Sequence, residues 1–221
     1  VQTAVGLWQF SDYCKGKQLT GYLKEDELSE QDIVQLAQQA CIGDVFGRGD
    51  RHFENYIISD NIIYPVDIAY LFWPDNETWV NRYVAGGQSE PCVLRQYPNF
   101  EKTYWAVYND TFNYLYENIT QIKNIIFSFF PKKVASDYAV FVCDRLSNKD
   151  YVALRKESVN THLEIYSQRY IFKEKLEKAM DRLNYIDNDL LRMYYYSNLN
   201  RSTAFFLIDY FNREDLFQLI L

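Results

Sequence analysis

The sequence predicts a mainly α fold with one small β-hairpin, and three observations carry that prediction. From Phe100 onward, apolar residues recur at the three- and four-residue spacing of amphipathic helices. Two β-branched runs, Tyr56-Ile57-Ile58 and Ile62-Ile63-Tyr64, flank the turn residues Ser59-Asp60-Asn61. The 221 residues hold only 8 Gly and 5 Pro against a hydrophobic fraction of 48%, a folded composition long enough to bury a sizeable core.

The elements follow in chain order. Val5-Gly6-Leu7-Trp8-Gln9-Phe10 is a short β-prone run that ends in the polar stretch Ser11 to Lys17, so a strand and then a turn are expected. Ser29-Glu30-Gln31-Asp32 resembles a capping box. Ile33, Leu36, Ala37, Ala40 and Cys41 then share one helical face, predicting a helix over about 30–43. The hairpin follows at 56–64. Residues 73–99, with Pro74, Pro91, Pro98 and the Gly86-Gly87 pair, read as a long loop of the kind that carries function. Helices are expected over about 100–116, 118–130, 136–146, 148–182 with a break near Asn160, 187–198 and 202–219.

Charge and cysteine usage narrow the function classes. A net charge of −7 argues against a general nucleic-acid surface, which needs clustered Lys and Arg to neutralise phosphates. Cys14, Cys41, Cys92 and Cys143 are scattered with no Cys-x-x-Cys pair, so reduced thiols in a cytoplasmic protein are expected rather than a zinc site or disulfide framework. No apolar run approaches the roughly 20 residues that span a bilayer. His162, in mid-helix among polar residues, reads as a surface histidine.

The chemistry concentrates in Gly47-Arg48-Gly49-Asp50-Arg51-His52-Phe53-Glu54-Asn55, the hairpin, and Asp67-Ile68-Ala69-Tyr70-Leu71-Phe72. Phosphoryl transfer asks a protein to align an acceptor hydroxyl, take up its proton and neutralise phosphate charge through Mg²⁺. Asp50, Asn55 and Asp67 are residues of the right types. Mg²⁺ takes hard oxygen ligands and keeps several waters, so one amide oxygen and one carboxylate suffice beside the phosphates.

Gly49-Asp50-Arg51-His52-x-x-Asn55, followed by an apolar hairpin and Asp67, resembles the catalytic and metal-binding loops of the phosphoinositide 3- and 4-kinases within the atypical kinase superfamily. His52-Phe53-Glu54-Asn55, Pro65-Val66 and Asp67 to Phe72 also resemble the kinase-like dehydratase domain of lanthionine synthetases, although the cyclase zinc ligands of those enzymes are missing. The resemblance implies a protein-kinase-like C-lobe over 14–221, with a catalytic loop at 47–55, a metal-binding loop at 67–72 and an activation segment at 68–96. Residues 1–13 would be the last N-lobe strand and the hinge. It implies Asp50 as catalytic base and His52 as its neighbour at the γ-phosphate. Asn55 and Asp67 would be metal ligands, with Gln9, Phe10, Ser11 and Arg51 at the nucleotide. ATP and Mg²⁺ are the implied cofactors. A Gly-rich loop, a strand lysine and a helix glutamate are then expected in an N-terminal lobe of the same parent polypeptide.

Ile68-Ala69 stand where kinases usually carry Phe-Gly. Residues 70–96 offer Arg82 and Arg95 against Asp75, Glu77 and Glu90, which disfavours a polyphosphorylated inositide head group. The expected activity is an ATP- and Mg²⁺-dependent phosphotransferase acting on a lipid or protein hydroxyl, with Trp73 and Trp79 as candidate contacts to a membrane or peptide. The alternatives are a catalytically inactive kinase-like scaffold, or the same site used for nucleotidyl transfer or phosphorylation followed by elimination.

Overall fold

The computed structural model describes residues 2–3, 6–7, 15–25, 28–66, 71–72, 77, 80–81, 84 and 88–182. They are mainly helical around a small antiparallel sheet, as the sequence predicts. No helix among them is long and apolar enough to cross a membrane.

At the start, β1 (Gln2–Thr3) pairs antiparallel with β2 (Gly6–Leu7). The rest of the expected first strand, with Gln9 and Phe10, and Ser11 after it lie outside the described residues. A two-residue strand, β3 (Lys17–Gln18), at the end of the polar stretch and a seven-residue helix, α1 (Leu19–Glu25), beyond it were not among the expected elements. The reason is tertiary. β3 exists because it joins the hairpin, Lys17 opposite Ile58 and Gln18 opposite Ile57, and an edge partner of two residues leaves almost no period to read.

Helix α2 (Glu30–Val45) matches its capping signal. The Ser29 amide donates to the Asp32 carboxylate at 2.9 Å, and the Asp32 amide donates back to the Ser29 hydroxyl at 3.2 Å. This satisfies two of the first-turn groups that a helix leaves unpaired. Its buried face holds Ile33, Leu36, Ala37, Ala40 and Cys41, each large aliphatic contributing about 1.5–3 kcal/mol relative to exposure. The C-terminus closes on Gly47 at φ 66°, with the Arg48 amide reaching back to the Gly43 carbonyl at 2.8 Å and the Gly47 amide to that of Asp44 at 3.3 Å. Glycine takes this left-handed position without the Cβ clash other residues meet.

Strands β4 (Tyr56–Ser59) and β5 (Ile62–Pro65) form the hairpin, completing the order β3-β4-β5. Asp60 and Asn61 turn it with φ of 50° and 61°, the pair of positive angles that a two-residue type I′ connection demands and that Asp and Asn tolerate best.

The expected loop at 73–99 is in part helical. A 3-10 turn at Glu90–Cys92 leads into α3 (Val93–Gln96), then a second at Pro98–Phe100. Val80 and Val84, one turn apart, are helical and fully buried. Pro91 and Pro98 stand in the first turns of these short helices, where a missing amide costs nothing, so they start helices here rather than break them.

Helices α4 (Glu101–Glu117) and α5 (Ile119–Phe129) lie within a residue of their expected bounds. Helix α6 (Lys132–Ser147) starts four residues earlier than expected, directly after Pro131. Helix α7 (Tyr151–Arg182) runs unbroken through Asn160, whose side chain is exposed and asks for no interruption. The expected helices at 187–198 and 202–219 lie outside the described residues. Helix α4 packs its Tyr104, Trp105, Tyr108 and Phe112 face against α2, so the helix that leads into the 47–55 loop is braced along its length.

Candidate active site

The 47–55 loop hangs from α2 and is held from beneath by two arginines. Arg48 and Arg51 are buried, while Asp50 and His52 keep part of their surface. Arg48 donates to the Tyr56 hydroxyl at 3.1 Å, to the Asn55 carbonyl at 3.3 Å and to the Val66 carbonyl at 3.0 Å. One side chain thus ties the start of the loop to its end and to the exit of the hairpin. The Val66 amide donates to the Asn55 carbonyl at 2.9 Å, closing the hairpin mouth.

Arg51 is the centre of a buried charge network. Its Nη1 reaches Asp44 Oδ1 at 2.5 Å, and its Nε and Nη2 reach the two oxygens of Glu90 at 2.9 and 3.0 Å. Asp44 also accepts from Arg155 Nε at 2.9 Å and from the Tyr108 hydroxyl at 2.8 Å, while its carbonyl accepts from Arg145. Glu90 accepts from the Tyr56 and Ser89 hydroxyls as well. Two carboxylates thus meet two guanidiniums and three hydroxyls, the added donors that help buried ions to be tolerated. Gly43 makes room: a Cβ there would lie 2.9 Å from Cδ and Nε of Arg51.

This network corrects two expectations. Arg51, expected at the nucleotide, has 0% exposure and spends its donors on Asp44 and Glu90. It cannot reach a nucleotide without abandoning two buried carboxylates. Glu90, counted as part of the charge facing a substrate, is likewise fully buried and opposes Arg51.

The electrostatics follow. Burial pushes the Asp44 carboxyl up, but Arg155 and Arg51 outweigh it and hold it at about 2, below its ordinary 3.8. Glu90 is likewise held below its ordinary 4.5, burial being overcome by Arg51. Burial, then the nearby Glu90, push the Tyr56 phenol up, so it stays a donor. Cys41, Cys92 and Cys143 are free thiols, and burial pushes Cys92 up to about 12, leaving it inert.

Both acids are depressed in the folded state, so the stability they confer is present above the unfolded values and lost as pH falls. Thermal melts should therefore be flat between about pH 5 and 8 and decline between about pH 4.5 and 2, with Asp44 alone worth roughly 2 kcal/mol. A pH series by circular dichroism checks this, and Asp44→Asn should flatten the acid limb. An unchanged limb in that variant would remove Asp44 from the account.

Next to the network stand the candidate site residues. Asp50 Oδ1 lies 3.4 Å from His52 Nε2, with these side chains 26% and 22% exposed. The Asn55 side-chain amide donates to the Asp50 carbonyl at 3.0 Å, which leaves its oxygen as the atom for a cation. Thr20, His52, Phe53, Glu54 and Gln88 line an adjoining cavity of about 270 Å³. Asp50, His52 and Asn55 are therefore brought together, whereas Asp67, Gln9, Phe10 and Ser11 lie outside the described residues. Among the described residues no group of three His, Cys, Asp or Glu could hold a metal.

Sequence reasoning missed Asp44, Arg48, Tyr56, Glu90, Tyr108 and Arg155 as parts of the site's support. Only Asp44 left a trace, an acid on the apolar face of α2 one turn beyond Ala40. Family models, curated proteins and solved structures give no match to this chain.

Proposed function

We propose that the chain is the hinge and C-lobe of an ATP- and Mg²⁺-dependent phosphotransferase of the atypical kinase superfamily, acting on a lipid or protein hydroxyl. The observation that carries the reading is the gathering of Asp50, His52 and Asn55 on one loop, with the Asn55 amide locked to the Asp50 carbonyl and His52 lining a cavity.

In this reading Asp50 orients the acceptor hydroxyl and takes its proton as the new bond to phosphorus forms. His52, adjacent to Asp50, donates a hydrogen bond toward the incoming phosphoryl oxygens. The Asn55 amide oxygen holds a cation, and Asp67 supplies the second protein ligand on the strength of its place after the hairpin. Bound Mg²⁺–ATP supplies the phosphoryl group and the charge that neutralises it. Arg48 and Arg51 position the loop and touch no substrate.

The burial of Arg51 favours one other reading, a helical binding module that has kept the loop but not the nucleotide contacts. Calorimetric titration of Mg²⁺–ATP into the chain together with its implied N-terminal lobe separates the two. The phosphotransferase reading expects a saturable heat that disappears with EDTA and weakens about tenfold or more in Asn55→Ala, on the scale by which lost ligand-shell groups weaken metal sites. Absence of heat from that folded protein favours the module.

A further inference from the structure

Helices α5 and α6 pack on each other across the short connection Phe130-Pro131, and the residues around that connection form an unusual tip. Phe129 is 79% exposed, Ile125 55%, Phe127 45% and Phe130 37%. Four large apolar side chains lie within six residues, beyond the scattered exposed Leu or Ile of an ordinary surface. Ile122 and Ile126 already supply the face of α5 that packs on the rest of the fold, so the tip is surplus to the core. Phe130 seats its ring edge-on against Tyr138 at 5.0 Å and Phe72 at 5.9 Å, which anchors the base of the tip.

The charge around the tip differs from the rest of the molecule. Between Glu117 and Asp137 the chain has Lys123, Lys132 and Lys133 and no acid, in a protein of net charge −7. All three lysines are exposed, and two directly follow the aromatic turn. Exposed aromatic and aliphatic side chains at a helix–helix turn with lysines alongside match the boundary of an anionic bilayer, where rings sit at headgroup depth and ammonium groups meet lipid phosphates. A protein groove would satisfy the rings but gives no reason for three exposed lysines beside them.

We propose that the α5–α6 tip, residues 125–133, is a peripheral docking site for an anionic lipid surface, with Phe129 and Phe127 inserting and Lys123, Lys132 and Lys133 lying on the headgroups. The site is independent of the phosphotransfer reading and works without nucleotide.

The test is sedimentation of the full chain with sucrose-loaded vesicles, in nucleotide-free buffer, against vesicles of phosphatidylcholine with 30% phosphatidylserine and of phosphatidylcholine alone. Binding is expected to the anionic vesicles, weaker to the neutral ones, and reduced by 0.5 M salt. Lys132→Ala and Lys133→Ala should each weaken it about fivefold, and Phe129→Asp should bring it to background while leaving the thermal melt unchanged. Failure of the wild-type chain to sediment would overturn the proposal, as would Phe129→Asp sedimenting like wild type. A wild-type dimer on size exclusion that Phe129→Asp converts to monomer would overturn it in favour of a second copy on this face.

Discussion

Arg51→Ala is expected to lower the free energy of unfolding by about 3–5 kcal/mol, the range measured when one partner of a buried ion pair is removed. A domain of this size has about 5–15 kcal/mol in all. The loss is large because the two acids fare differently. Asp44 keeps Arg155 and the Tyr108 hydroxyl, but Glu90 retains only the hydroxyls of Tyr56 and Ser89 as described partners. A fully buried carboxylate without its guanidinium must take a proton or draw in water. Arg51→Lys should rescue little, since an ammonium cannot place three donors on two carboxylates in one plane. Glu90→Gln in the Arg51→Ala background should recover part of the loss, because it removes the stranded charge. Urea unfolding of the four proteins checks this, and a cost under 1 kcal/mol for Arg51→Ala would show that the network is not what holds the loop.

Asp50→Asn is expected to lower phosphoryl transfer by about 10²–10⁴-fold, the usual contribution of a positioned base, with no change in melting temperature. The second half is specific to this geometry. Asn55 is held by the backbone carbonyl of Asp50 and not by its carboxylate, so the substitution leaves that support intact. The side chain is a quarter exposed and outside the buried network. Neighbouring positions should thus separate cleanly, stability falling at Arg51 and turnover at Asp50. Transfer by Asp50→Asn within threefold of wild type would remove Asp50 from the role of base.

The helices were legible where apolar spacing is local: the capping box at Ser29, the Tyr104 to Phe112 stripe of α4 and the β-branched hairpin each specify themselves over a few residues. The proximity of Asp50, His52 and Asn55 was legible for the same reason, since they lie on one short loop. Its support was not. Arg51 meets Glu90 across 39 positions and Asp44 meets Arg155 across 111, and no local period marks which distant carboxylate a given arginine will find. A buried arginine beside a catalytic-type aspartate reads as a ligand contact until its burial is known. The short helices around Pro91 and Pro98 were hidden because proline reads as a breaker unless the first turn is recognised.

The most direct test of a phosphoryl-transfer loop is a single-turnover assay with γ-labelled ATP, using the chain together with its implied N-terminal lobe and comparing wild type with Asn55→Ala across a Mg²⁺ titration. Label should move to an acceptor or to water only when Mg²⁺ is present, and Asn55→Ala should need about tenfold or more Mg²⁺ for half-maximal transfer. Transfer without Mg²⁺, or the same Mg²⁺ requirement in both proteins, would contradict the assignment of Asn55 and with it the reading of the loop.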